Sequence, residues 1–390
     1  MAATIQQRAV IVGAGIVGAA SAYFLARAGF KVTILEAMAP AAGATGSADG
    51  AVSVASKKPG PMMEAAVEGV KLYRELRDEG LFDNLFKERS TFMVAQGEAE
   101  EAVLEKHRAA LSASGVAVEH LGRDATHAKI RNLSEQVRSA MEVKGEGHAI
   151  GFELVNRLLA ASGAQVRRGC SVNDFVVGGQ SRSVSAVITS KGKLDCDLLV
   201  LAAGGGSVRL LGLNGVLRGR KGQMLVTERA PSLNAGIPGS LMSCRYLISK
   251  DSTDTKMDAT QRRFGLVIDP LRTGQFLIGG TREETEIGGT DIEAVRRLLI
   301  EAVDMVPQLA NVRLLRTFSG IRTATEDGRP LIGRVPGFDN ALLATGFEGD
   351  GICLGPLAGR MMSQLALGQR TTIDLAAFDP ARFPSLRIAA

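Results

Sequence analysis

Three glycines and one carboxylate near the N-terminus have types and spacing that suit a nucleotide. Gly13, Gly15 and Gly18 form the pattern G-x-G-x-x-G directly after the apolar run 9–12, and the stretch KVTILE ends in Glu36. In this pattern the first glycine permits a tight turn, the second lets the backbone approach a pyrophosphate, and the third lets a helix touch a strand. A carboxylate ending the second strand accepts hydrogen bonds from a ribose diol. The unit therefore predicts a strand, turn, helix and strand that bind an adenine dinucleotide.

The same segment is uncharged over residues 9–26, which is also the composition of a secretory signal or a membrane anchor. The run continues without a cleavage site into an amphipathic helix and a strand. No other stretch approaches membrane-spanning length without a charge. We therefore expect a cofactor-binding helix and no transmembrane segment.

Composition narrows the class of protein. A chain of 390 residues is long enough for two lobes that each bury a core. The four cysteines form no C-x-x-C pair, which predicts a reducing, cytoplasmic location and no metal site. The net charge is +5, but the basic residues are scattered, and the chain has no Trp and three Tyr to stack on bases. We expect no nucleic acid partner.

The fingerprint is shared by NAD and FAD, and four later features favour FAD. Residues 41–56 are a run of small side chains with one charge, which suits a loop lying along a cofactor. KLDCDLLVLAAGGGS predicts a strand ending in glycines, and GAQVRRGCSV predicts a short strand before Val172, whose backbone is expected beside adenine. The chain returns late with a second glycine-rich stretch. No second G-x-G-x-x-G is present, so electrons are expected from an organic substrate and not from a nicotinamide.

The late glycine-rich stretch has a chemistry of its own. Gly346, Gly349 and Gly351 permit close approach to a planar ring, and a helix is expected from about Ile352 onward. The N-terminus of that helix points back at the turn, where its positive potential stabilises negative charge on a reduced flavin.

From residue 9 to residue 368 the chain resembles the FAD-dependent amine and amino-acid oxidoreductases of the D-amino-acid oxidase, glycine oxidase and sarcosine oxidase type. The family stretch G-L-R-P-x-T-x-D-G-x-P-x-I-G is matched by GIRTATEDGRPLIG, and its glycine-rich turn by GFEGDGICLGP. Two departures are visible: Thr323 replaces the usual Pro, and Phe347 stands where His is common. Residues 56–73 resemble the beta-type subunits of opine oxidases and D-hydroxyproline dehydrogenases, which act on carboxylated secondary amines in heteromeric assemblies.

The resemblance implies FAD as the cofactor. The sarcosine oxidase branch attaches its flavin through a cysteine, but the matching stretch 320–327 contains none, so we expect noncovalent binding. The cofactor-binding residues expected from the fingerprint, the loops and the resemblance are Gly13, Gly15, Ile16, Val17, Gly18, Glu36, Ala37, Ala44, Thr45, Gly50, Ala51, Val172, Ala203, Gly204, Glu348, Gly349, Asp350, Gly351 and Ile352.

The resemblance also implies two catalytic residues. Arg322, the arginine of the G-L-R-P stretch, grips the substrate carboxylate over the flavin, and Tyr246 lies near a substrate-facing tyrosine of glycine oxidases. From the residues alone, Arg322 equally suits a surface turn beside Glu326 and Asp327, and Tyr246 equally suits a half-buried strand. The implied reaction is oxidation of a carboxylated, secondary amine or amino acid to the imine, by hydride transfer to flavin N5. The electron acceptor is oxygen or a protein or quinone carrier, and partner subunits are expected.

The expected fold class is α/β, a Rossmann-like FAD-binding domain with a discontinuous α+β substrate domain built on an antiparallel sheet. The FAD-binding domain is expected at 1–85, 146–220 and 315–390, and the substrate domain at 86–145 and 221–314. The latter includes a hairpin that turns at Thr273 and Gly274, and a helix within 291–309. Two other functions stay open: an FAD enzyme of the same fold acting on a modified tRNA base, and a non-catalytic flavin subunit supporting a partner chain.

Overall fold

The computed structural model describes residues 6–178, 182–247, 262–384 and 386. Its strands are β1 (Arg8–Val12), β2 (Lys31–Glu36), β3 (Ala51–Val52), β4 (Lys87–Ala95), β5 (Val118–Leu121), β6 (Ser139–His148), β7 (Gln165–Arg168), β8 (Val172–Val177), β9 (Val184–Thr189), β10 (Gly192–Asp195), β11 (Leu198–Leu201), β12 (Leu217–Thr227), β13 (Ser240–Ser243), β14 (Arg263–Pro270), β15 (Phe276–Arg282), β16 (Leu314–Thr325), β17 (Leu331–Arg334) and β18 (Ala341–Thr345). Its main α-helices are α1 (Ile16–Arg27), α2 (Pro61–Asp78), α3 (Glu98–Ala113), α4 (Arg123–Lys129), α5 (Gly151–Ser162), α6 (Ser207–Leu211), α7 (Pro231–Asn234), α8 (Ile292–Met305) and α9 (Gly351–Ala366).

The first sheet has six strands in the order β17-β18-β11-β1-β2-β7. All of its pairings are parallel except that of β17 with β18. The central strands β1 and β11 are apolar runs buried on both faces, as parallel strands covered by other layers are. The Rossmann-like α/β fold predicted from the glycine fingerprint is confirmed.

Alternate residues of β1 pack into two different cores. Ala9 and Ile11 lie with residues of α1, α5 and α9, whereas Val10 and Val12 lie with residues of the three-stranded sheet β10-β9-β8. Helix α9 crosses α1 so closely that a Cβ on Gly359 would lie 2.5 Å from the backbone of α1. The uncharged N-terminal run therefore forms a strand and a packed helix. Across the described ranges, no helix combines the length and apolar character needed to cross a membrane.

The second sheet has nine strands in the order β16-β12-β15-β14-β13-β4-β6-β3, with β5 paired to β6. Its pairings are antiparallel except that of β4 with β13. The predicted hairpin is confirmed as β14 and β15, which turn through Gly274 at φ +87°. The predicted helix is α8; the side chain of Asp291 accepts the N–H of Ala294 at its start. Its residues Val295 and Leu298 pack into the core of this sheet.

The two sheets take their strands alternately along the chain. Strands β1, β2, β7, β11, β17 and β18 belong to the first sheet. The second sheet takes β3 to β6 from between β2 and β7, and β12 to β16 from between β11 and β17. Strand β12 runs without a break across residues 220 and 221, and β3 joins the nine-stranded sheet from within 1–85. The residue boundaries of the two domains stay a prediction.

Candidate active site

A cavity of about 620 Å³ opens at the carboxyl ends of β1, β2, β11 and β18. Open parallel sheets bind their ligands at this edge. The predicted site residues that line it are Gly13, Gly15, Ile16, Val17, Glu36, Ala37, Ala44, Thr45, Val172, Ala203, Gly204, Tyr246, Arg322, Glu348, Gly349, Gly351 and Ile352. The other four predicted residues, Gly18, Gly50, Ala51 and Asp350, lie outside this lining.

The turn between β1 and α1 is a cradle without room for side chains. Gly13 has φ +101°, and a Cβ there would lie 2.4 Å from the carbonyl oxygen of Ala202. A Cβ on Gly18 would lie 2.0 Å from the carbonyl oxygen of Gly13, so α1 starts pressed against the turn. Gly15, Ile16 and Val17 line the cavity, so the N-terminus of α1, with the positive end of the helix dipole, lies at its edge. This cradle fits the pyrophosphate of a dinucleotide.

Two predicted side chains organise the cavity around the cradle. Glu36 Oε2 accepts the N–H of Ala14 at 2.9 Å, and its Oε1 accepts the N–H of Met38 at 2.7 Å. Each carboxylate oxygen has two lone pairs, so both retain capacity for ribose hydroxyls. Thr45 Oγ1 accepts the N–H of Ile16 at 3.1 Å, at the N-terminus of α1. The residues present fit the ribose and phosphate parts of FAD.

We expect Glu36→Ala to weaken FAD binding by about 1 to 3 kcal/mol, because the ribose hydroxyls and two backbone donors lose their acceptor. Glu36→Gln keeps one acceptor oxygen and is expected to give an intermediate affinity. Fluorescence titration of the apoprotein with FAD measures the change. Glu79→Ala, at the exposed Arg27–Glu79 ion pair, is the control. An unchanged affinity in Glu36→Ala would contradict the ribose assignment.

Charged residues lie together where the nine-stranded sheet borders the cavity. They are Arg220, Arg282, Arg322 and Glu348, and we call them the charged wall. Arg322 lies on β16, directly opposite Arg220 on β12. Its guanidinium covers Gly222, where a Cβ would lie 2.5 Å from Nη2, and its Nη1 donates to the carbonyl oxygen of Thr281 at 3.2 Å. Among the residues that the structure describes, this is the one hydrogen bond of the side chain. Arg322 is therefore a half-buried strand residue with donors left for a carboxylate.

Glu348 lies among three arginines. Its backbone has φ +47°, in the left-handed region that side chains other than glycine rarely adopt. Its Oε1 lies 3.4 Å from Nη1 of Arg220 and 4.0 Å from Nε of Arg282. Burial alone would raise the pKa of the Glu348 carboxyl, but Arg282, Arg322 and Arg220 hold that pKa well below its usual range. Glu348 is therefore ionised and offsets the repulsion between Arg220 and Arg322.

Tyr246 lines the cavity from a helical turn that follows β13. Its hydroxyl accepts a hydrogen bond from Arg282 Nη2 at 2.7 Å, and the guanidinium carbon lies 4.8 Å from the ring centroid. Sequence reasoning missed Arg282 and Arg220. Arg220 lies in the basic run 218–221, and Arg282 ends the second strand of the predicted hairpin. The sequence shows both features, but neither indicates that the two side chains lie near Arg322.

Asp350 forms an ion pair with Lys57, whose side chain is 5% exposed. Burial would lower the pKa of the Lys57 ammonium, but Asp350 raises it above its usual value. This pair lines a second cavity of about 850 Å³, next to the first. The cofactor-binding role of Asp350 stays a prediction. Lys57 was not identified from the sequence, although it lies in the stretch 56–73 that resembles opine oxidases.

Gly50 ends the loop of small residues that continues past the cavity, and Ala51 begins β3. Gly50 has φ +93°, and a Cβ there would lie 2.6 Å from the carbonyl oxygen of Ala149. Ala51 donates its N–H to Asp49 Oδ1 at 3.1 Å. The ring of His148 contacts the same residue, with Nε2 2.7 Å from the Asp49 carbonyl oxygen. Burial lowers the pKa of His148 to about 4, so the ring is neutral. The flavin contacts of Gly50 and Ala51 stay predictions.

Comparisons with known proteins agree with this geometry. A family model described as DAO, FAD dependent oxidoreductase, matches residues 8–365. Glycine oxidase of Pseudomonas aeruginosa is 27% identical over 389 residues, which covers 96% of this chain and 99% of that protein. Hydrogen cyanide synthase subunit HcnC of the same organism is 26% identical over 424 residues, covering 96% and 95%. The crystal structure of glycine oxidase from Geobacillus kaustophilus matches with a TM-score of 0.83 at 24% identity, covering 97% of this chain and 100% of that one.

Proposed function

The chain belongs to the DAO family of FAD-dependent oxidoreductases, and on that basis we propose that it oxidises a carboxylated secondary amine or amino acid to its imine. It is an FAD-dependent enzyme that acts on C–N bonds. FAD, when bound, accepts the hydride that leaves the substrate carbon. The observation that carries the proposed substrate class is Arg322 in the cofactor cavity, with donors left for a carboxylate.

Arg322 suits the task of positioning the substrate. Its planar fork binds both oxygens of a carboxylate, which fixes the orientation of the neighbouring carbon as well as its position. Strand β16 is paired with β12 from Leu217 to Thr227, so the base of the side chain is held rigidly. A substrate held in this way presents its C–H bond in one direction, and such positioning supplies a large share of the rate in reactions of this type.

The charged wall offers little general acid or general base catalysis. Glu348 has a carboxyl pKa held low by three arginines, so it is a poor proton acceptor. The hydroxyl oxygen of Tyr246 already accepts a hydrogen bond from Arg282 Nη2. The substrate amine is therefore expected to enter in its neutral form, and water hydrolyses the imine after release.

The proposal also covers the partner chains, the electron acceptor, the cellular location and the attachment of the flavin. The name of the relative HcnC describes a subunit, which supports partner chains for this protein as well. The electron acceptor is oxygen or a protein or quinone carrier. A cytoplasmic location and noncovalent flavin are supported by the four cysteines, which are buried free thiols outside the stretch 320–327.

Anaerobic reduction of the bound flavin tests the proposal. Holoenzyme is mixed with L- and D-amino acids, hydroxyprolines and N-carboxyalkyl amino acids, and the loss of flavin absorbance is followed. We expect at least one carboxylated amine to bleach the flavin, whereas the matching amine without a carboxylate does not, because it has no group for Arg322 to bind. A bound flavin that no amine bleaches would instead indicate a non-catalytic subunit. Tight tRNA binding at physiological salt would indicate the tRNA-modifying alternative.

A further inference from the structure

Glu348 of the charged wall is a largely buried carboxylate that lacks a hydrogen-bond donor. Its side chain is 14% exposed and lines both cavities, and its Oε1 is buried with no hydrogen-bond partner among the described residues. The nearest cations do not supply one, since Oε1 lies 3.4 Å from Nη1 of Arg220 and 4.0 Å from Nε of Arg282. A buried carboxylate without a donor is unfavourable, so this side chain suits a ligand that carries an N–H group or a positive charge.

The backbone of Glu348 is held in an unfavourable conformation. Its φ of +47° lies in the left-handed region, which glycine adopts without strain and a residue with a side chain does not. The turn has glycines at positions 346, 349 and 351, yet position 348 carries a glutamate. Strain of this kind is typical of sites where the side chain itself is needed. The conformation therefore supports a role for the Glu348 side chain beyond its ion pairs.

The turn that carries Glu348 lies against Arg322, the carboxylate ligand of the proposed function. A Cβ on Gly349 would lie 3.9 Å from Nε of Arg322, and Arg322 is one of the three arginines whose charges act on the Glu348 carboxyl. An α-amino acid carries its carboxylate and its nitrogen on the same carbon atom, so the two groups that bind them have to be neighbours. Arg322 and Glu348 meet this requirement, because an ionised carboxylate lies beside the guanidinium.

Three other carboxylates belong to the described lining of the cofactor cavity: Glu36, Asp49 and Glu286. Glu36 accepts two backbone N–H groups at the end of β2, where the ribose is expected. Asp49 already accepts a backbone N–H of its own loop, and Glu286 is exposed. Glu348 is therefore the carboxylate of this lining that combines burial, an oxygen without a donor and a place beside Arg322.

We propose that Glu348 is a further catalytic residue, whose carboxylate binds the amine nitrogen of the substrate while Arg322 binds the substrate carboxylate. This inference rests on the proposed function, since it places a second residue on the same substrate. As the hydride leaves the substrate carbon for FAD, the nitrogen lone pair forms the C=N bond, and the nitrogen becomes positively charged. The anionic Glu348 stabilises that charge without taking the N–H proton, which the iminium product loses to water after release.

Two carboxylates that differ in the charge at the nitrogen position test the inference by binding. N,N,N-trimethylglycine has a cationic nitrogen, 3,3-dimethylbutanoate has a carbon in its place, and neither has the lone pair needed to form an imine. Perturbation of flavin absorbance in holoenzyme measures both affinities. In Glu348→Gln, we expect the affinity for trimethylglycine to fall about 10- to 100-fold relative to that for dimethylbutanoate. The affinity for dimethylbutanoate should not fall, because its contact with Arg322 remains.

Glu284→Gln is the matched control. Glu284 is an exposed carboxylate that also pairs with Arg220, but in the described linings it belongs to the second cavity and not to the cofactor cavity. Its variant is expected to keep the wild-type ratio of the two affinities. An unchanged ratio in Glu348→Gln, or an equal fall for both ligands, would overturn the inference. A ratio lost in Asp49→Asn but kept in Glu348→Gln would assign the nitrogen to Asp49 instead.

The rate of flavin reduction is the second measurement, and it decides the outcome if neither ligand binds measurably. With a carboxylated amine that reduces the wild type, Glu348→Gln is expected to lower the limiting rate about 100-fold, as the loss of one fixed group that stabilises transition-state charge does. Glu284→Gln is expected to keep the wild-type rate. A wild-type rate in Glu348→Gln, or a failure of that variant to hold FAD, would overturn the inference and leave the proposed function standing. If no carboxylated amine reduces the wild type, the proposed function itself fails, and the inference with it.

Discussion

Replacing Arg322 by alanine is expected to slow reduction of the flavin by a carboxylated amine by about 30-fold to several thousand-fold at subsaturating substrate. Removing one partner of a desolvated, charge-assisted contact costs roughly 2 to 5 kcal/mol, and this cost appears in the rate of reduction. Arg322→Lys keeps the charge but loses the planar fork, so its rate should fall between those of the wild type and the alanine variant. Anaerobic stopped-flow measurement of flavin absorbance gives these rates directly.

A matched control lies on the same strand. Arg316 is an exposed residue of β16 that contacts the ring of Phe318, and Arg316→Ala is expected to reduce its flavin at the wild-type rate. The flavin of Arg322→Ala should remain bound with an unchanged spectrum, because the proposed contact is with substrate. An alanine variant reduced at the wild-type rate would refute the carboxylate role. An alanine variant that had lost its FAD would indicate that Arg322 binds the cofactor and not the substrate.

Gly13→Ala is expected to yield protein that is nearly free of FAD. Its methyl group would lie 2.4 Å from the carbonyl oxygen of Ala202, and its backbone would have to keep φ +101°. Unfavourable backbone conformation and overpacking each cost about 1 to 3 kcal/mol, so together they cost about 2 to 6 kcal/mol. A loss of 2 kcal/mol or more from binding weakens FAD affinity by at least about 30-fold. Flavin content after purification and titration of the apoprotein measure the effect.

Gly288→Ala is the control for this substitution. Gly288 is exposed, lies outside the positive-φ region, and has open space where the Cβ would be placed. Its variant should hold FAD as the wild type does. Thermal unfolding of both apoproteins separates a damaged turn from a damaged fold, since the two substitutions are chemically the same. Wild-type FAD affinity in Gly13→Ala would show that the turn does not depend on this glycine.

The cofactor half of the site was predictable because its determinants are local. The turn, the helix and Glu36 lie within one short stretch of chain, so the spacing of glycines and apolar residues specifies their arrangement. The structure adds a non-local reason for Gly13, because the atom that excludes a side chain belongs to Ala202 at the end of β11. The hairpin β14 and β15 and the helix α8 were predictable for the same local reason, from a turn and from apolar periodicity.

The charged wall was not predictable from the residues alone. Arg220, Arg282 and Arg322 lie on three strands of one sheet, and only the pairing of β12 with β16 and β15 brings them around Glu348. A shift of one residue in either pairing would turn these side chains to the other face of the sheet. Lys57 and Asp350 are 293 residues apart, and no local pattern connects them.

By itself, therefore, the sequence determined a turn that binds an adenine dinucleotide, since a G-x-G-x-x-G turn, a short strand and a carboxylate act over a few residues. The later glycine-rich stretches and the family resemblance then favoured FAD over NAD. The resemblance proposed Arg322 as the carboxylate ligand, but the residues left it equally suited to a surface turn. Only the tertiary structure placed Arg322 in a strand beside the cofactor cavity, opposite Arg220. The physical reason is that electrostatic interactions depend on distances through space, and strand register sets those distances for residues far apart in the chain.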